Sequence, residues 1–361
     1  MRVAYGVHGY GRGHAARSLA ILSELARDHE VQVFTGGDAA PLLAGYEPVS
    51  IPVLAFGYRR TRLSLAQTLL SNASILGALA LAGGPVETVE AALDRFRPEA
   101  VVSDSEPLVL RAAGRLGIPR IGVDHVGIIA WCRPAAPPAD ALELGRDALM
   151  YRLLMGHPER VVVSSFFEAP PRRPDVTMIP PVLRTRVFDA RPIEGEHLLV
   201  YLNRPQLFTR EVQAAISGCG APAIVYGAGR EGREGSARFK RIDEAGFVED
   251  LASARAVLAT SGHQLASEAL HLGKPMLLHP EETAEQRLNA RELVRLGVAR
   301  CVRRGRLTPA VVRGFLAGLD AHRTALQRVP RDGNVRALAV IRGSLRPPAG
   351  KPSAPPVRGV A

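Results

Sequence analysis

The chain has 361 residues, 47% hydrophobic and 22% charged, with a net charge of +11 and three cysteines. That length fits two domains of roughly 100–200 residues each, and the composition excludes a mainly disordered chain. Cys132, Cys219 and Cys301 are widely spaced and odd in number, which excludes a disulfide framework and a C-x-x-C metal site.

The charge is uneven. Residues 302–361 hold twelve Arg or Lys against two acids, Asp320 and Asp332, so nearly all the excess lies there. Such a segment attracts nucleic acid or anionic lipid, or is simply a solvated Arg-rich surface. No RNA- or DNA-binding motif accompanies it, so no nucleic-acid partner is expected. The N-terminus, MRVAYGVHGYGRGH, turns to glycine too early for a signal peptide. The longest apolar stretch, Ala73–Ala82, is too short for a span of about 20 residues. The expectation is a cytoplasmic protein.

Val3–His8 reads as a buried strand, Gly9–His14 as a glycine-rich loop, Ala15–His29 as a helix and Val31–Thr35 as the next strand. Strands follow at Ala100–Ser103, Arg120–Asp124 and Val161–Ser164, with helical patterns at Glu87–Phe96 and Leu108–Leu116. This alternation implies a parallel sheet covered on both faces. Ala169–Pro181 is proline-rich and reads as the linker. A second series then begins, with strands at His197–Asn203, Ala223–Gly227, Ala256–Thr260 and Pro275–His279. Its helices fall at Thr209–Ile216, Leu265–Leu272 and Ala284–Leu296. The expected fold is α/β, two tandem Rossmann-like domains with a cleft between them. Residues 1–168 form the first domain, 169–195 the linker, 196–345 the second domain and 346–361 a disordered tail.

Two motifs carry chemistry. The first is Gly9-Tyr10-Gly11-Arg12-Gly13-His14, between a strand and a helix. Gly11 and Gly13 let a ligand approach the backbone closely. His14, at the carboxyl edge of the sheet, is either a general base for a hydroxyl or a structural histidine. The second runs Thr260-Ser261-Gly262-His263, then Glu268, Gly273-Lys274-Pro275, Glu285-Gln286 and Asn289-Ala290. A turn at a helix N-terminus offers N–H groups and a positive dipole end to a diphosphate. Glu268 can accept from ribose hydroxyls, while Glu285 and Gln286 can reach a sugar. Singly, each is also an ordinary helix or capping residue.

The stretch from Thr260 to Ala299 closely resembles the donor region of GT-B glycosyltransferases. There a glycine turn precedes a ribose-binding Glu by six residues, as Gly262 precedes Glu268, and an acid–Gln pair and Asn-Ala follow. Phe247-Val248 and the residues after them resemble the segment that meets the nucleotide base. The opening GYGRGHAAR resembles the glycine-rich loop of the lipid II-forming N-acetylglucosaminyltransferase and of small bacterial and archaeal GT-B proteins. The resemblance implies a glycosyltransferase with no cofactor. Its donor is a UDP- or dTDP-sugar, bound by Gly11, Gly13, Phe247, Val248, Ser261, Gly262, His263, Glu268, Glu285 and Gln286. Gln264-Leu265 stand where plant members carry Asn-Ser, so the phosphate grip falls to backbone N–H groups and His263. The resemblance also implies inversion, with Asp104 orienting His14 as a His–Asp dyad.

Asp104-x-Glu106 superficially matches the carboxylate pair of metal-dependent glycosyltransferases of another fold, and Asp104 is alternatively an N-cap. Metal-free catalysis is the expectation. Asp124 and His125, at the end of another strand, face the cleft as acceptor contacts or are structural. The acceptor is lipid-linked or a small natural product, and peripheral membrane contact is an associated expectation. Two rival readings remain: a nucleotide-sugar 2-epimerase or hydrolase on the same fold, and a non-catalytic binding protein with a basic tail.

Overall fold

The computed structural model describes residues 1–54, 58–59, 62–63, 67, 70–81, 84–327 and 333–345. The expected tail, 346–361, and the last residue of the apolar stretch Ala73–Ala82 lie outside the described residues.

The first half contains β1 (Arg2–Val7), β2 (Glu30–Thr35), β3 (Val49–Ser50), a short ribbon of β4 (Tyr58–Arg59) and β5 (Arg62–Leu63), β6 (Ala100–Asp104), β7 (Arg120–Asp124), β8 (Arg160–Ser164) and β9 (Val176–Ile179). Seven of these form one parallel sheet, in the order β3-β2-β1-β6-β7-β8-β9. Central strands such as β1 and β6 are apolar runs because helices cover both their faces. The second half contains β10 (Leu198–Tyr201), β11 (Ala223–Tyr226), β12 (Gly232–Glu234), β13 (Ala237–Phe239), β14 (Ala256–Ala259), β15 (Met276–Leu278) and β16 (Ala299–Cys301). Their order is β12-β13-β11-β10-β14-β15-β16, with β12 alone antiparallel to its neighbour.

Strand order reverses between β1 and β6 in one sheet and between β10 and β14 in the other. Open α/β sheets bind ligands beyond the carboxyl ends of the strands at such points. The chain thus has two Rossmann-like domains, each with its own switch point.

The partition of the chain differs from a simple tandem. β9 lies inside the stretch read as linker, yet it is the edge strand of the first sheet. The helix Asn334–Leu345 returns to the first domain, where Ala337, Ile341 and Leu345 join the core of β1, β2 and the Gly13–Leu25 helix. Asn334 clasps the linker backbone, accepting from Leu183 N at 2.9 Å and donating to Leu183 O at 2.8 Å. Proline content marked this segment as irregular, but a strand as short as Val176–Ile179 leaves almost no periodic trace.

Arg342 of that returning helix pairs with Asp28, and Arg323 pairs with Glu194 and Asp320. Part of the C-terminal basicity is therefore spent within the fold. No helix among the described residues is long and apolar enough to cross a membrane.

Candidate active site

The loop after β1 is shaped by contact with the loop after β2. A Cβ on Gly9 would sit 2.4 Å from Val53 Cγ2 and 2.5 Å from Gly36 O, so only glycine fits. Gly11 has φ +77°, a conformation costly for other residues, and its N–H donates to Asp38 Oδ2 at 3.0 Å. The loop delivers the chain into the helix Gly13–Leu25, whose first two turns present His14, Arg17 and Ser18 to the end of β6.

Asp104 ends β6 and is 1% exposed. His14 Nδ1 lies 2.8 Å from its Oδ1, Arg17 Nε donates to Oδ2 at 2.6 Å, and Ser18 Oγ donates to Oδ2 at 3.0 Å. Arg17 Nη2 also donates to Oδ1. Burial by itself raises the Asp104 carboxyl, but the Arg17 and His14 partners outweigh it and hold the group below the usual carboxylate range. Asp104 is therefore an anion, and the dyad expected from sequence is a four-group cluster. Arg17 Nη2 is also 2.7 Å from His14 Nδ1. Two tautomers fit: Nδ1–H donating to Asp104 with a basic Nε2, or Nδ1 accepting from Arg17 with the proton on Nε2.

His8 stacks edge-on against His14 at 5.1 Å, and burial with the neighbouring His14 pushes it down to about 3. It stays neutral at physiological pH. Glu106 turns away from Asp104 to cap its own helix, accepting from Leu108 N at 3.2 Å and Val109 N at 2.7 Å. The two carboxylates of Asp104-x-Glu106 thus serve different elements. Asp124 likewise caps Gly127 N and accepts from Tyr151 Oη, buried beneath the cleft.

Across the cleft, the helix His263–His271 starts at Gly262 with no side chain capping it. A Cβ on Gly13 would lie 3.5 Å from Gln264 Cβ, so the glycine-rich loop meets this helix start directly. His125 stacks on His263 with ring centroids 3.6 Å apart, and Phe166 lies parallel to His263 at 5.3 Å. His125 is engaged at both nitrogens, with Ser164 O at 3.0 Å and Asn289 Oδ1 at 3.1 Å, and burial pushes it down to about 4.

Glu268 is fully buried. Arg184 from the linker grips it with both ends of the guanidinium, Nε to Oε1 at 2.7 Å and Nη2 to Oε2 at 3.1 Å, and Gln264 Nε2 adds 2.8 Å to Oε1. Gln286 braces the turn: its Oε1 accepts from Ser261 N at 3.1 Å and from Glu281 N at 3.0 Å. Glu285 is half-buried beside Asn289, and burial reinforced by Glu281 pushes it up to about 7. Phe247 packs edge-on against Tyr201 and Tyr226, and Val248 is buried beside it. Both side chains are core, leaving only the backbone of this segment for a ligand.

The structure thus brings together His14 with Asp104, and Ser261, Gly262 and His263 with Gln286. Arg17, Ser18, Arg184, Asn203, Arg204 and Glu281 went unread in the sequence. Only Arg17 and Ser18 left a signal: spacings of three and four from His14 on one helix face. Arg184 and Glu281 meet their partners through tertiary contacts alone.

Residues 1–320 match the family described as Glycosyl transferase family 1. An uncharacterized glycosyltransferase of Methanosarcina acetivorans is 24% identical over 97% of this chain and 99% of its own. Among solved structures, the calicheamicin glycosyltransferase CalG4 superposes with TM-score 0.67 at 19% identity, covering 97% of this chain and all of that one. The glycosyltransferase VinC, solved with dTDP, superposes with TM-score 0.60 at 15% identity over 95% of this chain and 99% of its own. The paired sheets, the facing switch points and the match over residues 1–320 lead to one conclusion: the chain belongs to glycosyl transferase family 1, as a glycosyltransferase of GT-B fold.

Proposed function

We propose that the enzyme moves a sugar from a UDP- or dTDP-sugar to an acceptor hydroxyl, by a single inverting displacement that needs no metal. The observation that carries this reading is the His14–Asp104 pair facing the uncapped start of the His263–His271 helix across the cleft. His14, protonated at Nδ1 toward Asp104, takes the acceptor proton at Nε2. The freed oxygen attacks the anomeric carbon as the bond to the diphosphate breaks. The diphosphate leaves against the Ser261–His263 turn, where backbone N–H groups and the helix dipole receive its charge. That VinC was solved with dTDP supports a nucleotide donor.

Turnover measured with a UDP- or dTDP-sugar and a panel of lipid-linked and small-molecule acceptors tests this reading. Consumption of the donor at full rate without any acceptor points instead to an epimerase or hydrolase. Activity is expected to persist in excess chelator, since Glu106 is committed to capping its helix. Complete loss, restored by manganese, contradicts the metal-free step.

The reading extends to peripheral contact with an anionic bilayer through the apolar helix Ala73–Leu81 and the basic C-terminal region. Each basic residue near such a surface contributes about 1 kcal/mol. Co-sedimentation with anionic vesicles is expected at low salt and reduced at physiological salt. Absence of binding at both salts favours a soluble acceptor.

A further inference from the structure

The amino ends of the second sheet's strands, at the edge opposite the cleft, close around a cavity of about 150 Å³. Three adjacent strands are entered there: β10 from the linker, β14 from the turn at Ala254 and Arg255, and β15 from the turn at Gly273 and Lys274. The linker is pressed onto this edge. Ile193 N donates to Ala252 O at 3.0 Å, and a Cβ on Gly195 would stand 2.1 Å from Ser253 O, so only glycine fits. The helix Leu319–Leu326 adds Arg323 to the lining.

Lys274 is 5% exposed, yet among the described residues no carboxylate pairs with it. Its Nζ donates to Ile193 O at 2.7 Å. An ammonium carries three donors, so two remain for whatever enters the cavity. Glu194, the acid of the lining, pairs with Arg323 instead. Burial pushes Lys274 down to about 8, and the neighbouring Glu194 offsets this only in part. A buried cation without a paired anion is costly. Arg255 also lines the cavity; its Nη2 donates to Leu316 O at 3.2 Å, and it too has no carboxylate partner among the described residues. Three cations against one acid leave the lining with a net charge of +2. Asp320, which also meets Arg323, is 98% exposed and stands outside the lining. The end of the His263–His271 helix does not cancel this charge: N–H groups of Leu272, Gly273 and Lys274 occupy the carbonyls of Glu268, Leu270 and Ala269.

We propose that this cavity binds a phosphoryl dianion, as inorganic phosphate or a small phosphate monoester, on Lys274, Arg255 and Arg323. The charge of such a ligand matches that of the lining. A tetrahedral anion can also turn a separate oxygen to each of the three cations, which a planar carboxylate cannot. The volume equals the share of about five liquid waters, room for the phosphoryl group and little more. The site lies at the edge opposite the proposed donor site, so it stands independently of the nucleotide-sugar reading.

Calorimetry and thermal melts at physiological ionic strength test this, with inorganic phosphate and glycerol 3-phosphate as probes and acetate as the control. Phosphate should bind and raise the melting temperature, as a ligand of the folded state does, and acetate should do neither. Tighter binding of glycerol 3-phosphate assigns the monoester as occupant, and weaker binding assigns the free ion. Lys274→Met keeps the apolar stem and removes the charge. Its phosphate affinity should fall about 10–100-fold, the range of charge-assisted hydrogen bonds, and the phosphate-dependent rise in melting temperature should disappear. Arg255→Gln, at a half-buried position, covers the case in which Lys274→Met fails to fold, with an expected loss of about tenfold. Saturating UDP should leave phosphate binding intact. The proposal is overturned by an unaltered protein that does not bind phosphate, by equal affinity for acetate, by binding that UDP abolishes, or by undiminished phosphate affinity in either folded variant. A failure of UDP itself to bind counts against the nucleotide-sugar reading alone.

Discussion

His14→Ala is expected to lower kcat by about 10²–10⁴-fold, the usual contribution of a positioned general base. Donor affinity should change little, because His14 belongs to the first domain and the proposed donor edge to the second. The two neighbouring histidines of the first domain are poorly placed to substitute. His8 is buried and held neutral, and His125 already engages Ser164 O and Asn289 with its two nitrogens. Arg17 sharpens the expectation for the neighbouring carboxylate. In a simple dyad, Asp104→Asn removes only an orienting group. Here it also leaves the Arg17 guanidinium, 5% exposed, without its anion. Removing one partner of a buried pair costs about 3–5 kcal/mol, so Asp104→Asn should lower the melting temperature as well as kcat. His14→Ala should leave stability nearly unchanged. Steady-state kinetics and thermal melts on the two variants test this together. Near-full turnover in His14→Ala places the base elsewhere, whereas loss of nucleotide binding makes the loop a phosphate cradle.

Glu268→Ala should be more damaging than loss of a ribose contact implies. Charge-assisted hydrogen bonds to a ligand contribute about 1.5–3 kcal/mol, and that much donor affinity should go. The fully buried carboxylate also holds Arg184 through both ends of its guanidinium. Truncation strands that cation, with a stability cost of about 3–5 kcal/mol. Glu268→Gln keeps the shape and one of the two acceptor oxygens. It should melt above Glu268→Ala and still bind nucleotide weakly. A folded Glu268→Gln with unaltered UDP and dTDP affinity would remove Glu268 from the donor site. Arg184 lies next to Leu183, which Asn334 holds by two backbone bonds. Glu268 is therefore tied through the linker to the helix that straps the first domain.

Much of this protein was legible in its residues. Alternation of apolar runs and amphipathic stretches determines two parallel sheets, because a strand buried on both faces has no polar positions to spare. Glycine in the GYGRGH loop and at Gly262 marks where backbone must turn sharply beside a helix N-terminus. The spacing from Gly262 to Glu268 is local to one helix, so it survives in the sequence as a pattern. Tertiary structure decided what those residues do to one another. The resemblance pairs Asp104 with His14 alone, but β1 and β6 lie side by side and put Arg17 and Ser18 on it as well. Gln286 reads as a sugar contact, yet the fold makes it the brace between Ser261 and Glu281. Arg204 follows β10 and Glu281 follows β15, and only the sheet order brings the loops after these strands together at one edge. Contacts across such separations carry no periodicity. Their energy comes from pairing buried charges, and which charges become neighbours is set by the packing of the two sheets.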